Sequence, residues 1–201
     1  MAINIDDAGL QALFPEIAEI SDDTLRRGVL AIWKEIGAEC AWDKFEDVPK
    51  NIGSEHGRRL VDHIRGVTVM ALSLAETARK LHGTPYNRDH LLAACLLHDV
   101  SKPVETEPDP GKKPPNDKVL AARKSALGAN IQHAAYATHK IFAHELPLDV
   151  AHLVLTHTHA SNLRSNTIEA SYLFFADYAD SDAGVEPTGD VKFAHRIRFV
   201  E

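Results

Sequence analysis

The chain has 201 residues, a formal net charge of −7, and 44% hydrophobic against 25% charged residues. That balance suits one domain with a real core, and the excess of acid disfavours nucleic acid and anionic membranes as partners. No apolar run approaches the roughly 18 residues of a membrane span, "MAINIDDAGL" lacks the basic and apolar parts of a leader, and Cys40 and Cys95 form no CxxC pair, so a cytoplasmic protein in a reducing compartment is expected.

The elements in chain order are nearly all helical. "DDTLRRGVLAIWKEIGAEC" opens with acids and repeats Leu25, Val29, Ile32, Trp33 and Ile36 at helical spacing. After a polar connection, "SEHGRRLVDHIRGVTVMALSLAETARKLHG" reads as one long helix from an N-cap at Ser54 to Gly83. "YNRDHLLAACLLHDVSK" is the next, capped by Asn87 and ended before Pro103. Residues 103–117 carry five prolines and mixed charge and read as a long loop. Lys112 and Lys113 in it, and Lys118 just after it, are either solvated charges or a cover for substrate. Helices follow over "NIQHAAYATHKIFAHE", over "PLDVAHLVLTHTHA" with Pro147 in its first turn, and over "NTIEASYLFFADYADSD", where Asn166 and Glu169 are spaced as a capping pair. The tail, 184–201, is mixed, and "VKFAHRIRFV" reads as a short strand or an arm. Trp33, Trp42 and Phe45 are expected to pack the N-terminal helices on the core, with a pocket wall or a homodimer face as alternatives.

Twelve histidines are scattered singly along this all-α pattern. Helix neighbours recur at three and four residues. On that spacing His63 shares a stripe with Leu60 and Val67, His98 with Leu91 and Cys95, His133 with Ala137, His157 with Val150 and Val154, and Asp177 with Ala170 and Leu173. A lone histidine on an apolar face is more often a satisfied core residue than a ligand, and His82, His90, His139, His144, His152 and His195 are read that way. His63, His98, Asp99, His133, His157 and Asp177 fall on five helices, and five helices can meet at one point in a bundle core. Burying that much polarity is costly unless it is paired or holds a metal. Neutral imidazoles and carboxylates suit iron, manganese, cobalt, nickel or zinc. Asp99, one residue after His98, has two oxygens with which to bridge a pair of such ions.

The pattern resembles the HD superfamily of metal-dependent phosphohydrolases. The resemblance is carried by His63 in "VDHIRGVTVMALSLAE", by "LLAACLLHDVSK", by "HAAYATHKIFAHELPLDVAHLVLTHTH" and by Asp177 in "LFFADYADSD", and it covers about residues 54–182. The His-Asp pair alone is weak; the ordered series H…HD…H…H…D is specific. The resemblance implies an HD-domain helical bundle over 54–182, with an N-terminal helical extension (1–53) packed on it and a C-terminal tail (183–201). It implies that His63, His98, Asp99 and Asp177 ligate a first divalent metal, that Asp99 bridges, and that His133 and His157 hold a second. His157 follows His133 at the family's usual spacing; His159 is its alternative. Ser101 stands where many members have glycine, and "ASNLRSN" replaces the GYP signature of cyclic-di-GMP phosphodiesterases, which disfavours that substrate.

The implied activity is hydrolysis of a phosphate ester or anhydride, on a nucleotide or small phosphorylated metabolite, by attack of a metal-bound water. Lys102 would bring a point charge to the phosphate oxygens, and Arg164 a planar fork. The plainer readings are a helix-terminal lysine favoured by the dipole and a solvated arginine. Two rival functions remain at this level: a di-iron oxygenase of the same superfamily, and a non-catalytic, metal-stabilised nucleotide-binding module.

Overall fold

The computed structural model describes residues 2–52, 57–158, 165–189 and 191–195. Its helices are α1 (Asp7–Leu13), α2 (Asp23–Glu39), α3 (Leu60–His82), α4 (Arg88–Leu97), α5 (Lys102–Glu105), α6 (Ala126–Asn130), α7 (His133–Ala143), α8 (Leu148–Thr156) and α9 (Ile168–Val185). One antiparallel pair, β1 (Thr106–Pro108) and β2 (Ala122–Lys124), joins Thr106 to Lys124 and Pro108 to Ala122. The fold is all-α. Among the described residues no helix is long and apolar enough to cross a membrane.

The run of small and apolar residues before His98 explains the architecture. Every residue from 91 to 97 is fully buried. A helix that is apolar all round belongs at the centre, and α2, α3, α8 and α9 all pack on α4. Asn87 caps α4 by accepting from the His90 amide. Asp89 accepts from the Ser21 amide and hydroxyl and from the Asp22 amide, fixing the start of α4 to the start of α2.

The N-terminal aromatics belong to the same core. Trp33 stacks between Phe14 and Phe45, at ring separations of 4.7 and 5.0 Å, and donates to the Leu96 carbonyl at 3.1 Å. Trp42 donates to the Thr106 carbonyl at 3.0 Å. All three expected anchors, Trp33, Trp42 and Phe45, are buried inside the protomer, so none is left for a homodimer face.

Several expected boundaries move. The long helix starts at Leu60, because residues just before it form an isolated bridge, Pro49 to Arg59, and Gly57 takes a left-handed φ of 83°. The expected cap, Ser54, lies outside the described residues. Pro103 does not end the α4 segment. The helix stops at Leu97, and Pro103 sits in the first turn of α5, where its missing N–H is harmless. The proline-rich stretch is not wholly loop, since its ends pair as β1 and β2. The helix expected from residue 130 begins at His133, capped by Gln132, after the separate α6. Thr167, not Asn166, caps α9; Glu169 instead accepts from the Asn87 amide at 2.9 Å. In the tail, Phe193–His195 form a 3-10 turn, and residues 196–201 lie outside the described residues.

Candidate metal centre

Five segments bring the six expected residues together. His63 comes from α3, His98 and Asp99 from the turn that ends α4, His133 from the start of α7, His157 from the end of α8 and Asp177 from α9. They form two groups whose ligand atoms lie within 4.8 Å of one another: His63, His98 and Asp177, and Asp99, His133 and His157.

The imidazoles are aimed by hydrogen bonds on their far side. His98 Nδ1 lies 2.7 Å from the Cys95 carbonyl and His157 Nδ1 2.6 Å from the Val154 carbonyl. A carbonyl only accepts, so in each ring Nδ1 carries the proton and Nε2 the lone pair. His63 Nδ1 lies 2.6 Å from Asp180 Oδ2, which likewise frees its Nε2. The Nε2 atoms then face each other, His63 to His98 at 3.3 Å and His133 to His157 at 3.2 Å. Facing lone pairs at that distance repel unless a cation or a proton sits between them.

Asp99 stands between the groups. Its Oδ2 lies 3.5 Å from His63 Nε2 and 3.8 Å from His98 Nε2, while its Oδ1 lies 3.6 Å from His133 Nε2 and 4.0 Å from His157 Nε2. Asp177 Oδ1 lies 3.2 Å from His63 Nε2.

The electrostatics point the same way. Burial and Lys50 oppose charge on His63, but its bonds to Asp177, Asp180 and Asp99 prevail and raise its pKa to about 9. The carboxylates around it demand a positive charge, and without metal a proton supplies it. Burial drives His98 down to about 4, and burial with Lys102 drives His133 down to about 3, keeping both as neutral ligands. Burial alone would raise the Asp99 carboxyl, yet Lys102, His98 and His63 hold it well below the carboxylate range. Buried Asp177 is held low in the same way, chiefly by His63. Neutral imidazoles and ionised carboxylates are the ligand forms a divalent ion requires, so these residues fit a divalent metal.

A supporting layer was not anticipated. Asp180, which orients His63, accepts a hydrogen bond and an ion pair from Arg58; Arg58 also donates to the Asp180 carbonyl at 2.7 Å. Gly66 makes this possible, because a Cβ there would stand 2.1 Å from Asp180 Oδ1. Ser101 donates to Glu105 Oε1 at 2.6 Å and lies 3.0 Å from the His133 carbonyl, tying the His-Asp turn to α7. Lys50, buried, donates to Ser181 Oγ. Asp180 is legible in hindsight, three residues after Asp177 and so on the same face. Lys50 and Arg58 carry no motif.

A cavity of about 180 Å³ opens on the ligands, lined by Asp99, His133 and Asp177 and by Lys50, Lys102 and Phe193. Lys102 therefore reaches the cavity without belonging to either ligand group. Arg164 and His159 lie outside the described residues. Lys112 is exposed and pairs with Asp109; neither it nor Lys113 or Lys118 lines this cavity. Among the histidines read as ordinary, His144 bonds Glu35 and His90 lies 3.4 Å from Asp149.

A helical bundle with two adjoining histidine–aspartate groups in its core defines a class: proteins built to hold divalent metal ions. The HD domain family matches residues 60–182, and the chain belongs to that family of metal-dependent phosphohydrolases. The chain is also similar to a dihydroneopterin 2′,3′-cyclic phosphate phosphodiesterase of Methanocaldococcus jannaschii. The two are 28% identical over 182 residues, covering 86% of this chain and 69% of that protein. No solved structure matches the chain.

Proposed function

We propose that this HD-family enzyme is a two-metal phosphodiesterase acting on a small phosphorylated metabolite, with a cyclic phosphodiester as its first candidate substrate. The observation that carries the reading is Asp99, whose two oxygens divide between the two histidine groups at the wall of a cavity that also holds Lys102. The kinship with a cyclic phosphate phosphodiesterase supports the choice of substrate. His63, His98 and Asp177 would hold one ion, His133 and His157 the other, with Asp99 shared.

Bound divalent ions supply Lewis-acid polarisation of phosphoryl oxygens and acidify water. The chain's own part is orientation and charge. Cys95, Val154 and Asp180 fix the tautomers that present Nε2 to the ions. Lys102 places a positive charge where a phosphoryl group gains negative charge in the transition state. Arg164 stays a candidate second clamp by its position in the chain alone. The buried, unpaired Cys40 and Cys95 fit a cytoplasmic home.

The test is anaerobic turnover by apoprotein restored with manganese, cobalt, nickel, zinc or iron. The panel holds dihydroneopterin and nucleoside 2′,3′-cyclic phosphates, an aryl phosphodiester and an aryl phosphomonoester. Release of the phosphomonoester from a cyclic phosphate without oxygen is the expected result. Turnover with iron alone, and only once oxygen is admitted, would replace this reading with the di-iron oxygenase. Full metal loading with no turnover at all would favour the binding module.

A further inference from the structure

The ligand cavity is small, and it has a larger neighbour with more apolar surface. A second cavity, of about 460 Å³, adjoins it and shares Lys50, Asn51, Lys102 and His133 as a common wall. Its other sides include Ile52, Ile131, Glu105 and Lys124. Ile52 and Ile131 are 43% and 46% exposed, so each offers apolar surface to this cavity.

Rims and walls of this kind bind organic groups. Ligand pockets that take a drug-sized molecule run from about 300 to 1,000 Å³ and are mainly apolar with a few placed polar groups. The inner cavity falls short of that volume; the outer one reaches it. Lys50 and Lys102 stand where the two meet. Lys50 is only 6% exposed, held by Ser181 Oγ and by the ring of Phe193 5.4 Å away, and its charge is felt at Asp177 and His63. With Lys102 it makes the shared wall of the two cavities cationic, the complement a phosphate group requires.

On the phosphohydrolase reading above, we propose that the substrate spans both cavities, its phosphate between Lys50 and Lys102 and its organic group against Ile52 and Ile131. The substrate class is then a phosphate ester whose alcohol is an organic group too large for the inner cavity and apolar enough to rest on the two isoleucines. Lys50, Ile52 and Phe193 all lie outside the family-matched span of 60–182. The family-matched span thus provides the ligand groups, Lys102 and Ile131, and the segments flanking it add Lys50, Ile52 and Phe193.

The test is equilibrium binding to the metal-loaded full chain by calorimetry. The probes are inorganic phosphate, adenosine 3′-monophosphate and neopterin monophosphate. At least one ester should bind about tenfold more tightly than inorganic phosphate, the scale expected for burying part of a ring on two aliphatic side chains. The double variant Ile52→Ser/Ile131→Ser, altered only at surface-reaching side chains, should abolish that advantage while phosphate binding and metal content stay as in the wild type. Lys50→Met should weaken phosphate and ester by the same factor, about tenfold for the loss of a charge-assisted contact, with metal retained; Lys50→Arg should restore binding. Esters that bind no better than phosphate, or an advantage that survives the serine pair, would overturn the outer subsite. Unchanged phosphate binding in Lys50→Met would overturn the lysine's part. Turnover is not read, so the binding pattern seen in a protein that hydrolyses nothing would refute the phosphohydrolase reading alone.

Discussion

The two ligand groups lie side by side and are built differently. His63 and His98 are wholly enclosed, and His63 is backed by Asp180 and Arg58. In the other group His133 keeps 16% of its side chain exposed and lines both cavities. Its helix, α7, is held to α2 largely by polar contacts. Lys140 donates to Glu35 at 2.7 Å and to Glu39, His144 bonds Glu35, and Tyr136 donates to Glu39 at 2.9 Å. Asp177 still brings the first group to the inner cavity, with 14% of its side chain exposed, and His157 is nearly as enclosed as His98. Among the six only His133 reaches the outer cavity as well, and Asp99 stands between the groups.

The largest expected effect tests that shared role. Asp99→Ala should lose both ions and all turnover, read by elemental analysis and assay. A variant with full metal content would show that Asp99 does not join the groups. His157→Ala should lose one ion and keep the one in the enclosed group; loss of both would make the groups interdependent rather than distinct. Lys102→Ala should keep metal and fold while turnover falls about 10²-fold, as for removal of one preorganised donor to a developing anion. Unchanged turnover would return Lys102 to a helix-terminal charge. Asp180→Asn should weaken metal affinity about 10- to 100-fold, the usual cost of losing an outer partner of a ligating histidine, and only at the enclosed group. Equal weakening at both would erase the contrast.

The smallest effect concerns the polar brace. Hydrogen bonds from Lys140 and His144 hold the Glu35 carboxyl below its ordinary value against the opposing pull of burial. A carboxylate whose folded pKa is depressed adds stability above the ordinary carboxylate range and loses it as pH falls through the folded value. Glu35→Gln should therefore lower stability at neutral pH by at most about 1 kcal/mol, since Glu35 is partly solvated. The gap from wild type should close on acidification, as thermal unfolding across pH would show.

The parts that were legible in the sequence share a cause. Five of the six residues that meet at the site sit at helical spacing with apolar neighbours, with Asp99 read from its place beside His98, and that periodicity survives folding because it is what buries them. Asn87 as a cap and the all-helical class follow from equally local rules. What was missed depends on partners distant in the chain. Asp180 matters only because α3 leaves room at Gly66. Lys50 reaches the cavity only because residues 49 and 59 bridge, and that bridge also delays the start of α3. Thr167 and Asn166 are both plausible caps by composition. The choice falls to Thr167 because Glu169, the other half of the expected capping pair, is drawn away by the Asn87 amide. Pro103 was misread because a proline opens a helix as readily as it ends one.

The strand pair β1–β2 has a practical consequence. It closes the neck of the proline-rich excursion, with Asp109 donating to the Ala121 carbonyl just beyond the last paired residues. Residues 110–118 beyond that neck are all exposed. The returning limb is tied down, Asn116 donating to the Gly57 carbonyl and the Lys118 carbonyl accepting from Arg59, and each doubling of such a loop costs only about 0.6 kcal/mol. The segment between Gly111 and Pro114, which lines neither cavity, is therefore a natural graft point for a fluorescent reporter, an affinity tag or a whole inserted domain.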